Sequence, residues 1–236
     1  MSMRSVRRGT AWPCVLGLGG SLLFSSLHAR EPEPSPLWHD DATSRLEALA
    51  LLQSLNAELL SHPSATLTLE RWCGEHHLAP EAKIIAERVQ GEDKPLPPEA
   101  RNQLQIGADE AVRYRRVQLV CGQHVLSEAD NWYVPSRLTE SMNSELDTTD
   151  TPFGKVVQPL HFRRQTLSAQ LLWSPLPQGW ENAATLPGST HAALTMPQHV
   201  LEHRAVLFDQ SNRPFSLVIE SYTSQVLAFI PAKTRP

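Results

Sequence analysis

The stretch Val112–Pro135 reads VRYRRVQLVCGQHVLSEADNWYVP, and it has the form of a β-hairpin. Its first arm sets Arg113, Arg115 and Arg116 around Tyr114, then alternates Val117, Leu119 and Cys121 on one face, the period-two pattern of a half-buried strand. A guanidinium carried on such a strand can enter a pocket. Gly122 breaks the pattern, Val125 and Leu126 resume it, and Ala129–Val134 supplies the aromatic and β-branched residues that suit a pleated surface. Pro135 lacks the backbone donor that pairing needs and ends the second arm.

Working outward, Ser44-x-x-Glu47 reads as a capping box that opens a helix, with Leu46, Leu49, Leu52, Leu55 and Leu59 at helical spacing until Ser61-His62-Pro63 stops it. Thr66–His77 is expected to form a second, shorter helix, and Ala82–Val89 a strand. Gly91–Glu99 is a proline-rich loop, with a short helix over 98–105. Beyond the hairpin, Ser136–Leu146 has helix character and Asp147–Gly154 is rich in turn residues. Arg163–Trp173 reads as a further strand, and 174–197 as a loop holding Trp180. Val200–Phe208 and Phe215–Phe229 are two strands joined by the turn Asp209-Gln210-Ser211-Asn212-Arg213-Pro214. Runs of strands with helices set apart from them give an α+β class: a single domain with an antiparallel sheet and helices packed on it.

The 236 residues suffice for one substantial core. Hydrophobic residues make up 41% and charged ones 19%, the balance of a folded chain. A net charge of −4 and a pI near 6.2 give no electrostatic footprint for nucleic acid. Residues 1–29 carry Arg4, Arg7 and Arg8 ahead of a short apolar run broken by Pro13, which reads as a secretory signal peptide cleaved near Ala29. The other reading of this run is a membrane anchor, for which it is short. Export places the mature chain in the periplasm or outside the cell; a misassigned start codon would leave it cytoplasmic. Residues 30–41 follow as a linker and 42–236 as the domain. After cleavage Cys73 and Cys121 remain, either bonded to each other or separate as buried small side chains. Cys73 with His76 and His77 invites a zinc reading, against a helix end with solvent-facing histidines.

The sequence holds no glycine-rich phosphate loop, no G-x-S-x-G elbow and no H-E-x-x-H. What it offers is strand-borne charge: arginines at 88, 113, 115, 116, 163, 164 and 204, and Glu220 inside the apolar run Leu217–Tyr222. A carboxylate in such a run needs a partner, and the arginines are the candidates. One reading is a structural ion pair. The other is a pocket in which an arginine fork holds an anion beside Glu220.

Several short blocks, taken in order, resemble bacterial chorismate lyase and the fold it shares with the effector-binding domain of GntR-type regulators. They are Thr66-Leu67-Thr68, Ile84–Arg88, Arg116–Cys121, Ala129–Pro135, Thr151-Pro152-Phe153-Gly154, His203–Leu207 and Val218-Ile219-Glu220. The resemblance implies a chorismate-lyase-like domain and, in the family, cofactor-free release of pyruvate from chorismate to leave 4-hydroxybenzoate. Carried over by position, Arg116 binds a substrate carboxylate and Glu220 stands near the leaving ether oxygen as general acid. Leu67 and Phe153 line the apolar part of the cavity. Where the lyases place a second arginine this chain has Asn131, with Asp130 beside it. Losing that guanidinium removes about 1.5–3 kcal/mol, roughly ten- to a hundredfold in affinity. The expectation is an exported monomer that binds a small anionic, aromatic carboxylate without cofactor, metal or nucleic acid. The alternatives are an active chorismate lyase with a modified pocket and a divergent regulator module.

Overall fold

A computed structural model of the chain describes residues 38–91, 93–190 and 192–229. The expected signal peptide, residues 1–29, lies outside the described residues, as does the expected linker up to residue 37. The chain divides between residues 35 and 36, and every described residue belongs to the second unit.

The frame is a six-stranded antiparallel sheet built from β1 (Ile84–Arg88), β2 (Arg113–Cys121), β3 (His124–Tyr133), β4 (Arg163–Leu171), β5 (His199–Phe208) and β6 (Pro214–Thr223), in the order β1-β2-β3-β6-β5-β4. The opening hairpin is β2–β3. Gly122 makes its turn with φ +59°, and a Cβ there would come within 2.7 Å of the Ala79 Cβ, so both the backbone conformation and the close approach call for glycine. Pairing puts Arg115 opposite Asn131 and Arg116 opposite Asp130.

Helices α1 (Ala42–Ser61) and α2 (Ala65–Glu75) cover one face. The α1 start differs from the expected box at Ser44. Asp41 is the N-cap, its carboxylate accepting the Ser44 N–H at 2.7 Å. Ala48, Leu52, Leu55 and Leu59 are buried while Leu46 is exposed, so the apolar stripe lies slightly rotated from the expected one. The tail of the expected linker is also stitched into the domain: Trp38 is buried and donates to the Leu227 carbonyl at 2.8 Å, and the Asp40 N–H donates to Ala192.

Ser64 caps α2, and on its inner side Leu69, Trp72 and Cys73 are buried against β1 and β2. Cys73 is disulfide-bonded to Cys121 at the end of β2. With that sulfur engaged, Cys73 is not available as a zinc ligand. Among the described residues no group of three or more His, Cys, Asp or Glu side chains could hold a metal ion. His76 does not face solvent freely: its ring stacks on Phe229 at 4.2 Å between centroids and lies 4.1 Å from Trp72.

The short helices α4 (Glu140–Thr148) and α5 (Phe153–Val156) pack with Tyr133, Leu207 and Phe215 in a second cluster. On the opposite face α3 (Ala100–Gln103) and its flanks cover Trp132, Val206 and Leu217. β6 ends at Thr223 rather than running to Phe229, because the Thr223 hydroxyl accepts the Gln225 N–H and starts a turn of 3-10 helix.

Candidate functional site

The alternation that makes β2 amphipathic decides which arginine enters the core. Val117 and Leu119 face α1 and α2, so Arg115 faces the same way and is 4% exposed. With Ala129, Asn131, Val218 and Glu220 of the central strands it lines a cavity beneath the start of α2. Residues 63–66, Phe153, Gly154, Phe162 and Arg164 complete the wall.

The Thr-Pro-Phe-Gly turn read in the sequence positions two of these residues. It turns Phe153 inward and brings Gly154 against the helix start, where a Cβ would lie 3.1 Å from the Ser64 Oγ and 3.3 Å from the Thr66 Oγ1. The positive end of the α2 dipole therefore borders the cavity.

Two guanidinium groups face it in different states. Arg164 reaches across from the edge strand to Glu220, Nη2 to Oε2 at 2.5 Å, and Glu220 also accepts the Tyr222 hydroxyl at 3.2 Å. Burial works against the Arg164 charge, but Glu220 outweighs it and holds the pKa above its usual value. Arg115 has no such carboxylate. Burial, reinforced by the nearby Arg88 charge, lowers its pKa to about 10. Among the described residues its Nε and Nη2 find no hydrogen-bond partner, and neither do the Arg164 Nε and the Asn131 Nδ2. The Asn131 carbonyl oxygen is occupied, accepting from Ser216 at 2.6 Å.

Four buried donors without acceptors thus sit on three residues of one cavity wall, and the charges sum to an excess of one cation. Such an arrangement is costly when empty and favours an acceptor-rich anion. The apolar lining by Val117, Leu119, Ala129, Leu207, Val218 and two phenylalanines suits a ligand with an apolar body. The cavity volume is about 50 Å³, room for a few waters or a small anion. An aromatic acid needs more room than this, so the lining must give way to admit one.

Of the residues expected at the site, Glu220, Asn131 and Phe153 line the cavity and three do not. Arg116 lies on the opposite face of β2, where it contacts Glu128 at 3.2 Å and Asp130 at 3.4 Å. Asp130 is turned the same way and also receives Lys94 at 2.6 Å and the Tyr114 hydroxyl at 2.5 Å. Successive strand residues point to opposite faces, so a one-residue step in register exchanges Arg116 for Arg115 and removes Asp130 from the site. Leu67 is half-buried beside Glu70 and Arg71 in a shallow groove, and its helix neighbours Ala65 and Thr66 face the cavity instead. Arg115 and Arg164 lie outside every block that resembles the family and were legible only as strand-borne charge.

No protein-family model matches the chain. It is 53% identical over 204 residues to the uncharacterized protein y4mC of Sinorhizobium fredii (strain NBRC 101917 / NGR234), an alignment that covers 86% of each chain. The chain belongs to the y4mC family. Among solved structures it is similar to PhnF from Mycobacterium smegmatis, at 14% identity over 72% of this chain and 68% of that one, with a TM-score of 0.47. It is also similar to a GntR-family transcriptional regulator from Enterococcus faecalis V583, at 15% over 59% and 93% with a TM-score of 0.37. A third likeness, to the possible transcriptional regulator YydK from Bacillus subtilis, spans 63% of this chain but 60% of that one, with a TM-score of 0.37. At these identities and TM-scores no ligand or activity passes to the y4mC family from the regulators.

Proposed function

We propose that this protein is an exported binding protein for a small carboxylate with an apolar, aromatic body, held in the cavity beneath α2. The observation that carries the reading is the set of buried donors without acceptors on Arg115, Arg164 and Asn131. A carboxylate supplies about four lone-pair sites to a matching set of N–H groups, and Arg115 supplies the uncompensated charge. Export is supported by the expected signal peptide and by the Cys73–Cys121 bond, since disulfides persist in oxidising compartments. Fractionation of cells tests that part; recovery of the mature chain from cytoplasm alone, with Met1 retained, would overturn it.

Calorimetry with 4-hydroxybenzoate and related aromatic acids tests the binding. Saturable heat is expected for the wild type and at least a tenfold weaker affinity for Arg115→Gln. No heat with any of these acids would sink the cavity reading. A second reading, a chorismate lyase with a modified pocket, is favoured by one observation: the Glu220 carboxylate lies in the same cavity as both guanidinium groups. Release of 4-hydroxybenzoate from chorismate, abolished by Glu220→Gln, would establish turnover in place of simple binding.

A further inference from the structure

A second depression adjoins the cavity on its outer side. Its volume is about 530 Å³, against about 50 Å³ for the cavity. Its lining carries four cations, Arg88, Lys94, Arg113 and Arg115, and two carboxylates, Asp93 and Asp147. Arg115 contributes to both linings. Tyr133 of the outer cleft and Phe153 of the cavity are in ring contact, with centroids 5.5 Å apart. The two linings therefore meet at one buried guanidinium and one pair of aromatic rings.

The cations in the cleft are not equally engaged. Arg113 pairs with the Asp147 carboxylate at 2.9 Å and Lys94 with Asp130 at 2.6 Å. Arg88, at the exposed end of β1, donates to the Asp147 backbone carbonyl at 2.9 Å, and among the described residues no carboxylate lies within ion-pair distance of it. Its charge is felt at Arg115, which it makes harder to keep protonated. Two like charges thus stand in the cleft, the exposed Arg88 and the buried Arg115 that the cavity shares.

We propose that this cleft is the entry port of the cavity: Arg88 captures the charge of a small carboxylate at the surface and delivers it to Arg115 past the Tyr133–Phe153 rings. The proposal rests on the cavity being an anion site. Its chemistry is that of steering. An exposed charge accelerates encounter and makes it salt-dependent, whereas a buried partner governs how long the ligand stays.

The test follows 4-fluorobenzoate binding to the mature chain by fluorine NMR lineshapes, which separate association from dissociation. Arg88→Gln is expected to slow association about threefold or more and to flatten its dependence on salt, with the dissociation rate changed less than twofold. Arg88→Lys, which keeps the charge, is expected to recover most of the rate. Arg115→Gln is expected to weaken binding at least tenfold. An unchanged association rate in Arg88→Gln, an effect confined to dissociation, or a lysine variant as slow as the glutamine one would each overturn the port and leave the binding site standing. Failure of the wild type to bind the probe at all would overturn both.

Discussion

Arg115 shows how one position in a strand register converts a surface charge into one that lines a buried cavity. Its guanidinium is buried, with no carboxylate at ion-pair distance among the described residues, and a cation whose pKa burial lowers to about 10 destabilises the fold wherever it is charged. That penalty is fully present below pH 10 and fades as pH rises above it, because the unfolded chain then holds a proton that the folded one has released. Arg115→Met is accordingly expected to raise the stability of the ligand-free protein by up to about 3 kcal/mol while removing its response to aromatic acids; urea titrations with and without 4-hydroxybenzoate measure both. A destabilised variant would count against the empty-site strain. His203 makes a second prediction with the same sign. It is fully buried on β5, its Nε2 donates to the Asn56 Oδ1 of α1 at 2.8 Å, and burial first, then Arg164, lower its pKa to about 4. The unfolded chain gains this proton near pH 6.5 and the folded one near 4, so stability falls as pH drops through that window, by roughly 3 kcal/mol in total. Denaturant midpoints for wild type and His203→Gln should therefore converge between pH 6.5 and 4; parallel curves would show that His203 does not titrate in this way. The face of Arg115 was legible from Val117 and Leu119, two and four residues on, since alternation assigns all three to one side. Its lack of a partner was not legible, because partners come from distant strands.

At the scale of elements, the strands and helices follow the expected pattern closely, and the differences have local causes. Thr223 and Asp41 each take a hydrogen bond that redirects the chain, ending β6 early and starting α1 early. The residues after β3 supply the clearest structural clamp. Arg137 is 9% exposed and donates to the carbonyls of Leu104, Gln105 and Pro214 and to the Glu110 carboxylate at 2.7 Å. It ties the segment after α3 to the start of β6. Arg137→Ala leaves several acceptors without donors and is expected to cost about 3 kcal/mol, read as a lower denaturant midpoint with an unchanged slope. Arg137→Lys should recover only part of that loss, since an ammonium cannot reproduce the planar fork. A near-neutral alanine variant would mean that water replaces the clamp. Nothing in the pattern Pro135-Ser136-Arg137 distinguished this arginine from those on the strands.

Across the whole molecule, the Cys73–Cys121 bond joins α2 to the end of β2 over a sequence separation of 48, so it ties the helix whose start borders the cavity to the strand that carries Arg115. Closing a loop of that length restricts the unfolded chain and contributes about 2–4 kcal/mol. Cys73→Ala with Cys121→Ala is expected to lower the unfolding midpoint accordingly, and a reductant should lower the wild type but not the double variant; equal responses would mean that the thiols are not bonded. The sheet order β1-β2-β3-β6-β5-β4 brings the closing hairpin against the opening one, which is how Glu220 of β6 comes to lie opposite Ala129, with only β3 between it and the strand of Arg115. Periodicity, turn residues and the ending at Pro135 were enough to read the hairpin, the antiparallel α+β class and Glu220 as an unusual carboxylate, because each depends on neighbours a few residues away. The choice of Arg115 over Arg116, the recruitment of Arg164 from the edge strand, the pairing of the two cysteines and the cleft at Arg88 arise only when segments far apart in the chain are packed. Burial and charge compensation are properties of that packing, and local pattern does not contain them.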